Sequence, residues 1–367
     1  MVATIARRDR TLRSRGLGFA LLTAAASCST PAEPTGTALD GDWASLGLQN
    51  QVVTVLTLRG AELSVGTDNG VYRAVLGAGA PAWSHIGLEG RSIKSLLVLS
   101  ADTAVAAVAI TGMGADTVSL HRTIDGGQSW HPYQNGFGGA TGSRAVFALA
   151  ALPGEPGVLL ATGGAFVVAK SDDLGQSWRR VWGDWQLGAV GTHFVVADSQ
   201  QPALIWAGGE GGRFQPFLLK STNSGESWQE IWLQSGGDNA CYTVALDPLN
   251  PDVLYAGMEG RVVKTTDGGM TWETVLQPES YPYFFGLGVS RLTPSQVYAA
   301  GARQGLAEEL RELTLYASKD SGRSWVTSSN GSVRGGIRAL LVWKQTGGPE
   351  RILLGTGDGL RQFTPTP

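Results

Sequence analysis

Cysteine is nearly absent. The 367 residues hold two, Cys28 and Cys241, so at most one disulfide could form and a packed core must hold the fold. Histidine is as scarce: His85, His121, His131 and His193 show no metal-ligand spacing, which leaves no metal site and no cofactor to expect. No Gly-Lys-Ser/Thr element that could cradle phosphate occurs either. Five of the 28 basic residues and one of the 31 acidic ones precede Cys28, leaving 23 against 30 in the rest. A chain with that acidic surplus has no basic stripe for phosphates, so nucleic acid is not an expected partner. Helical periodicity is missing apart from 306–313, LAEELREL. The only long apolar run near the N-terminus, 16–26, is too short to span a bilayer as a helix.

What is plentiful is glycine, 52 residues, and tryptophan, 12. They fall in a repeating octapeptide of hydroxyl, any, Asp, any, Gly, any, hydroxyl, Trp: TIDGGQSW (123–130), SDDLGQSW (171–178), TTDGGMTW (265–272) and SKDSGRSW (318–325), with STNSGESW (221–228) carrying Asn in place of Asp. Five copies make the period the primary signal. Each is preceded by a strand-like run and followed by Trp and apolar residues, which predicts a tight hairpin. Asp125, Asp173, Asn223, Asp267 and Asp320 are placed to accept backbone N–H groups two residues on, and the glycine at the fifth position supplies a positive φ. Trp130, Trp178, Trp228, Trp272 and Trp325 then cover the hairpins and pack between sheets. On this reading all ten residues are structural.

These octapeptides resemble the Asp-box (BNR) repeats of sialidases, sortilin-type receptors, two-propeller xyloglucanases and photosystem assembly factors of the Ycf48 type. The resemblance implies a β-propeller with the boxes on the outer part of the blades, away from the face that binds or catalyses. Trp43, Trp83, Trp130, Trp178, Trp228, Trp272 and Trp325 lie 40, 47, 48, 50, 44 and 53 residues apart, a near-even period that predicts an all-β fold: a single seven-bladed propeller of four-stranded blades. The chain ends on three strands without a fourth (IRALLVW, ILLGTG, LRQFT) and begins its repeats on DWASLGL, a strand without the preceding three. Pairing the first with the last three completes a blade and closes the ring, leaving no exposed sheet edge. The first full unit has VLGAGAPAW where the octapeptide should stand; a different reading of that unit gives six or eight blades.

The N-terminus reads as an address. An arginine cluster in 1–15, the apolar run and Ala25-Ala26-Ser27-Cys28 have the order of a secretory signal. The tail AASC resembles a bacterial lipobox, which implies cleavage before Cys28 and acylation of its thiol, with Ala25 where Leu is favoured. The expected organisation is a lipoprotein-type signal peptide over 1–27, a flexible Ser/Thr/Pro/Gly tether over 28–40 and the propeller over 41–367. Location is then extracytoplasmic and membrane-anchored, with Ser29 after Cys28 leaning towards an outer membrane. Cys241, at the start of CYTVAL, reads as a small buried hydrophobe.

Variable loops between second and third strands and between blades share one face, where function usually sits. Trp185, Phe214, Tyr281 and Tyr283 fall on or near these loops, flat side chains suited to a sugar or a protein surface; Trp182, Phe284 and Phe285 are better read as core. Lys94, Arg144, His193 and Arg338 fall near the starts of inner strands, where convergent cations would suit a carboxylate or an acidic peptide. The resemblance to sialidases would require an arginine cluster, a Tyr–Glu pair and an Asp acid/base; the Arg-Ile-Pro signature of that family is absent. Arg144 and Arg338 with Tyr281 or Tyr283 beside Glu279 are the residues such a site could draw on. GTDNG (66–70) and GTGDG (355–359) read as strand turns rather than calcium loops. The expected role is a non-catalytic docking or assembly platform for a protein partner in an envelope or membrane complex. A glycan-binding module or a sialidase-like glycoside hydrolase is the alternative.

Overall fold

Short runs of Val, Leu, Ile and Ala, broken by glycine-bearing turns, form strands and nothing else in the described part of the chain. The structure, a computed structural model, describes Pro34 and residues 38–366 except 78, 111–117, 134–135, 139–143, 186–190, 213–214, 234–239, 303–309, 335 and 345–346. Residues 31–367 form one compact unit, and residues 1–30 divide from it. Seven antiparallel four-stranded sheets make a seven-bladed propeller. Blades 1 to 6 span 53–85, 93–132, 146–184, 191–232, 241–276 and 283–334, each with its strands in chain order from inside to outside. Blade 7 joins Ile337–Lys344, Glu350–Thr356 and Gly359–Pro365 to Gly41–Ser45, with Trp43 opposite Phe363. The orphan first strand therefore closes the ring on the unfinished last sheet.

The segment expected to be helical behaves otherwise. Residues 306–309 lie outside the described residues, and Leu310–Ser318 is the third strand of blade 6. Alternation explains this: Leu313, Leu315 and Ala317 point one way into the core between blades 6 and 7, a period of two that the neighbouring charges disguise.

Second strands are the most buried, with all five residues of Ala104–Val108 inaccessible, because each is covered by a blade on both sides. Small residues let the sheets approach: a Cβ on Gly66 would lie 2.6 Å from Ile93 of the next blade. Large side chains fill the wedge further out, as Tyr255, Phe284 and Trp325 do between blades 5 and 6. The repeated tryptophans tie neighbours together. Trp83 Nε1 donates to the Leu46 carbonyl at 2.7 Å, Trp130 to Ile86 at 2.8 Å and Trp325 to Val275 at 2.8 Å.

The octapeptide turns are hydrogen-bonded differently from the simplest expectation. The N–H two residues after the acid (Gly127, Gly175, Gly225, Gly269, Gly322) goes to the leading hydroxyl, at 2.7–3.0 Å. The acid instead accepts from the hydroxyl residue four positions on. Ser177 donates its N–H to Asp173 Oδ1 at 2.8 Å and its hydroxyl to Oδ2 at 2.6 Å. These bonds favour the ionised carboxyl and hold Asp267 down to about 2, with the Thr271 hydroxyl the largest contributor. Asn223 keeps the N–H bond from Ser227 at 3.0 Å but donates from Nδ2 to its hydroxyl at 2.9 Å, so the amide serves with one bond reversed. The fifth-position glycines all have positive φ, as expected. The fourth position is left-handed too, and Leu174, Ser224 and Ser321 adopt it without being glycine.

That strained fourth residue receives a strap. Lys170, Lys220 and Lys264, each late in a third strand, reach into the next blade and donate to the carbonyls of Ser224, Gly268 and Ser321 at 2.9, 2.7 and 2.9 Å. Each acceptor is the fourth residue of the neighbouring octapeptide, so the repeat clamps blade to blade as well as closing its own turn. Lys170 also meets Glu226 at 2.7 Å, as Arg179 does at 2.6 Å; the Arg179 and Lys170 hydrogen bonds hold Glu226 at about 2.

Candidate binding site at the channel mouth

Every inner strand carries a β-bulge at its second or third residue, between Val53 and Val55, Ile93 and Ser95, Val146 and Ala148, Thr192 and Phe194, Cys241 and Thr243, Phe284 and Gly286, and Ile337 and Ala339. A bulge leaves one residue out of the ladder and re-aims its side chain. Thr54, Lys94, Phe147, His193, Tyr242, Phe285 and Arg338 thus form one ring, a residue per blade, at the channel end away from the octapeptide turns. The second strands end on the same face.

The ring is not uniform. Its aromatic arc runs through contacts: Phe147 and His193 have centroids 6.2 Å apart, His193 stacks on Tyr242 at 5.6 Å with planes 7° apart, and Tyr242 meets Phe285 at 4.7 Å. Tyr283, one turn up, stacks on Tyr242 at 5.7 Å, and Tyr281 meets Tyr283 edge-on at 6.3 Å. Arg338 lies over Phe285 at 5.7 Å. Burial in this arc holds His193 at about 4, so it is neutral at pH 7.

The cations sit on either side of Thr54, whose hydroxyl is spent on the Ile93 and Gly66 carbonyls at 2.6 and 3.0 Å. Lys94 is depressed from the usual lysine range first by desolvation in the channel, although it keeps contact with water, and then by the charge of Arg338. Arg338 is lowered by burial, and its Nε is a buried donor without a partner. Neither forms an ion pair among the described residues. Two facing cations without a counter-ion are a site that an anion would stabilise.

Across the ring lie Glu210 and Glu259, at the ends of the second strands of blades 4 and 5. Glu259 is 7% exposed and accepts from the Tyr242 hydroxyl at 2.8 Å. Glu210 is raised by burial and by the Glu259 charge. Burial, then the hydrogen bond to Glu259, pushes Tyr242 above its ordinary range. The channel mouth is therefore basic on one side, acidic on the other and aromatic between.

Of the residues expected on this face, Lys94, His193 and Arg338 occupy ring positions, and Tyr281 and Tyr283 join the aromatic arc. Arg144 lies just before the inner strand of blade 3, where Phe147 takes the ring position. Trp185 leans edge-on against Phe137 at 4.7 Å and packs on the core between blades 2 and 3. Phe214 and Cys28 lie outside the described residues. Phe284 is core, as expected, whereas Phe285 is the bulged residue and turns into the channel. Trp182 stacks on Phe217 of the next blade at 5.9 Å. Glu279 is exposed; the Tyr–Glu contact that the geometry provides is Tyr242–Glu259 instead. Phe147, Tyr242, Glu210 and Glu259 were not picked out by sequence reading. Aligning the repeats on the second or third inner-strand residue, where the bulge falls, would have found the first two. Cys241 is fully buried. Among the described residues no three His, Cys, Asp or Glu side chains gather as metal ligands, and no helix is long and apolar enough to cross a membrane.

The fold and this ring define a seven-bladed β-propeller with a differentiated channel mouth. No family model matches the chain, and no curated protein matches it in sequence. Solved structures share the fold. A GH74 xyloglucanase from Xanthomonas campestris aligns with TM-score 0.63 and 20% identity over 88% of this chain and 53% of its own. YCF48 bound to D1 peptide aligns with TM-score 0.62 and 15% identity over 91% of this chain and 100% of its own. The extracellular domain of a proposed one-component system from B. thetaiotaomicron gives 0.60 and 10% over 88% and 40%. This chain spans about half the length of the xyloglucanase.

Proposed function

We propose that this protein is a non-catalytic docking platform, exported and held to a membrane through a lipidated Cys28, whose channel-mouth face receives an acidic segment of a protein partner in an envelope or membrane complex. The observation that carries the reading is the pair Lys94 and Arg338: two cations facing one channel, with no ion pair among the described residues, beside an aromatic wall that could take apolar side chains. A carboxylate between them would relieve their repulsion, and Phe285 and Tyr242 would pack its neighbours. A neighbour of the same fold and similar length that was solved with a peptide bound supports a peptide-sized ligand. The extracellular domain among the neighbours supports an extracytoplasmic site.

The test is a photo-crosslinking amino acid placed at Phe285 in cells of the source organism. A specific membrane-complex subunit should be captured, and Lys94→Glu with Arg338→Glu should abolish that capture while the propeller stays folded. Capture that ignores the charge reversal would overturn the reading.

The second reading, a sialidase-like or other glycoside hydrolase, rests on the Tyr242–Glu259 hydrogen bond, a pair of the kind a tyrosine nucleophile and its base would use. Against it, Glu259 and burial raise the Tyr242 hydroxyl rather than activate it. Turnover of a chromogenic sialoside or glucan that Tyr242→Phe removes would establish the hydrolase. A third outcome, retention on immobilised glycan lost with Tyr281→Ala or Tyr283→Ala, would make the aromatic arc a glycan-binding surface.

A further inference from the structure

We propose that the face carrying the octapeptide turns rests on a lipid bilayer, with apolar turn tips entering its interface, so that the channel mouth points away from the membrane. The inference rests on the reading that the N-terminal segment anchors the protein.

The first observation is where the chain enters. Strand Gly41–Ser45 is the outer strand of blade 7 and, like every outer strand, runs from the octapeptide face towards the channel-mouth face. Just before it, Leu39 donates its N–H to the Thr327 carbonyl at 2.8 Å, and Ala38 bridges Thr327. Thr327 stands two residues after Trp325, at the octapeptide end of blade 6. Whatever precedes Ala38 therefore joins the propeller on that face, at the seam between blades 6 and 7. Nine residues lie between Cys28 and Ala38, a reach of about 35 Å at full extension. An anchor there keeps this face near the bilayer.

The second observation is what that face presents. Of the large hydrophobic side chains that stand exposed among the described residues, Val75, Ile124, Leu249, Met270 and Leu292 lie at its turns, 56–81% accessible. The other two, Trp232 and Tyr281, lie on the opposite face. Leu249 and Met270 tip the two turns of blade 5, and Leu292 tips the adjoining turn of blade 6. Single exposed apolar residues are ordinary on a surface, but the five most exposed of these seven share one face.

The third observation concerns the acids that share the face. Asp125, Asp173, Asp267 and Asp320 accept hydrogen bonds within their own octapeptides. Asp247 is taken up by the N–H groups of Leu249 and Asn250 at 2.8 and 3.1 Å. These five carboxylates are folded back into the turns, whereas Asp252, in the same turn as Leu249, stays exposed. Insertion of three such tips beside an anchor needs no lipid headgroup of particular chemistry, so phosphatidylcholine is the appropriate surface.

The test separates the face from the anchor. Residues 31–367 contain all seven blades in one compact unit. With Pro31→Cys, that unit can be coupled to a maleimide lipid in phosphatidylcholine vesicles whatever becomes of Cys28 in cells. A carbene-generating lipid is then photolysed and its attachment sites mapped by mass spectrometry. Labelling should concentrate on peptides containing Leu249, Met270 and Leu292 over those containing Trp232 and Tyr281. The triple variant Leu249→Ser, Met270→Ser, Leu292→Ser should reduce it about tenfold or more, since burying even one such side chain shifts partitioning by an order of magnitude. Even labelling of both faces, or labelling unchanged in the triple variant, would overturn the proposal. Intact-mass measurement of the full chain from bacterial membranes tests acylation of Cys28 separately; an unmodified Cys28 sinks the anchor and leaves the vesicle result to decide the face.

Discussion

Replacing Gly41 by valine tests whether ring closure holds the propeller together. A Cβ at Gly41 would approach the ring of Phe363 and the Thr364 carbonyl at 2.5 Å. Phe363 is fully buried and packs against Trp43 at 5.1 Å, so it has nowhere to swing. The strand must lift or the last blade must shift. Overpacking of a filled site costs about 1–3 kcal/mol, and two contacts with immobile atoms put valine near the upper end, about 3 kcal/mol. In a propeller of this size that is roughly 4 °C in melting temperature. Calorimetry should show the loss, and hydrogen exchange should accelerate in 359–365, the partner strand, before the other blades. Gly79→Val is the control, because no atom lies within 4 Å of its added Cβ. If Gly41→Val melts with the parent protein and exchange in 359–365 is unchanged, the closing strand does not carry the ring and the reasoning fails.

Four further outcomes follow from the geometry. Lys170→Met removes a nearly inaccessible ammonium from Ser224 and Glu226; because Glu226 is half exposed and keeps Arg179, the loss should be about 2 kcal/mol by chemical denaturation, less than for a fully buried pair. Ser321→Gly relieves a left-handed residue and should raise stability by up to about 1 kcal/mol in the same assay. His193 is held at about 4 against an unfolded value near 6.5. Between those values the unfolded chain binds more protons, so stability falls as pH drops from about 6.5 to 4, by roughly 3 kcal/mol, and His193→Gln should flatten that slope in pH-dependent urea unfolding. The Asp-box acids act in the opposite window. Asp267, held at about 2, contributes above its unfolded pKa and loses that contribution as pH falls through about 2, so Asp267→Asn should show a weaker acid transition than the parent below pH 4.

The architecture was legible because the same physical solution recurs. Trp325 and its counterparts stand at a spacing set by blade size, and Gly127, Gly175, Gly225, Gly269 and Gly322 mark turns whose backbone few other residues tolerate. Even blade 1, which has no octapeptide, keeps Trp83 and its hydrogen bond to the Leu46 carbonyl. The site was less legible for a reason of the same kind. Lys94, His193 and Arg338 drew notice as charged or titratable residues in apolar surroundings, whereas Phe147 and Tyr242, in VFALAA and CYTVAL, looked like ordinary strand residues. Their orientation depends on a bulge, and a bulge leaves no mark on the alternation beyond one extra residue. Glu210 and Glu259 belong to blades 4 and 5 and meet only because consecutive blades place the ends of their second strands side by side.

The two faces follow different rules. On the octapeptide face each repeat turn satisfies its own polar groups, and those of blades 4, 5 and 6 also borrow a lysine from the preceding blade, so Asp125, Asp173, Asp267 and Asp320 are committed before any ligand arrives. On the channel-mouth face the bulge fixes only where a side chain points, and nothing in the ladder restricts which side chain it is. Seven equivalent positions accordingly hold a threonine, a lysine, two phenylalanines, a histidine, a tyrosine and an arginine. A repeat protein that needed only stability could fill that ring with apolar residues and avoid desolvating Lys94 and Arg338 together. Among the described residues no carboxylate pairs with these two cations, which is why the mouth is the proposed recognition surface, and the arginine is the sharper probe. Arg338→Lys keeps the charge but loses the guanidinium that lies over Phe285, so it should weaken a bound carboxylate less than Arg338→Ala does. Equal losses from both would assign the arginine to packing alone.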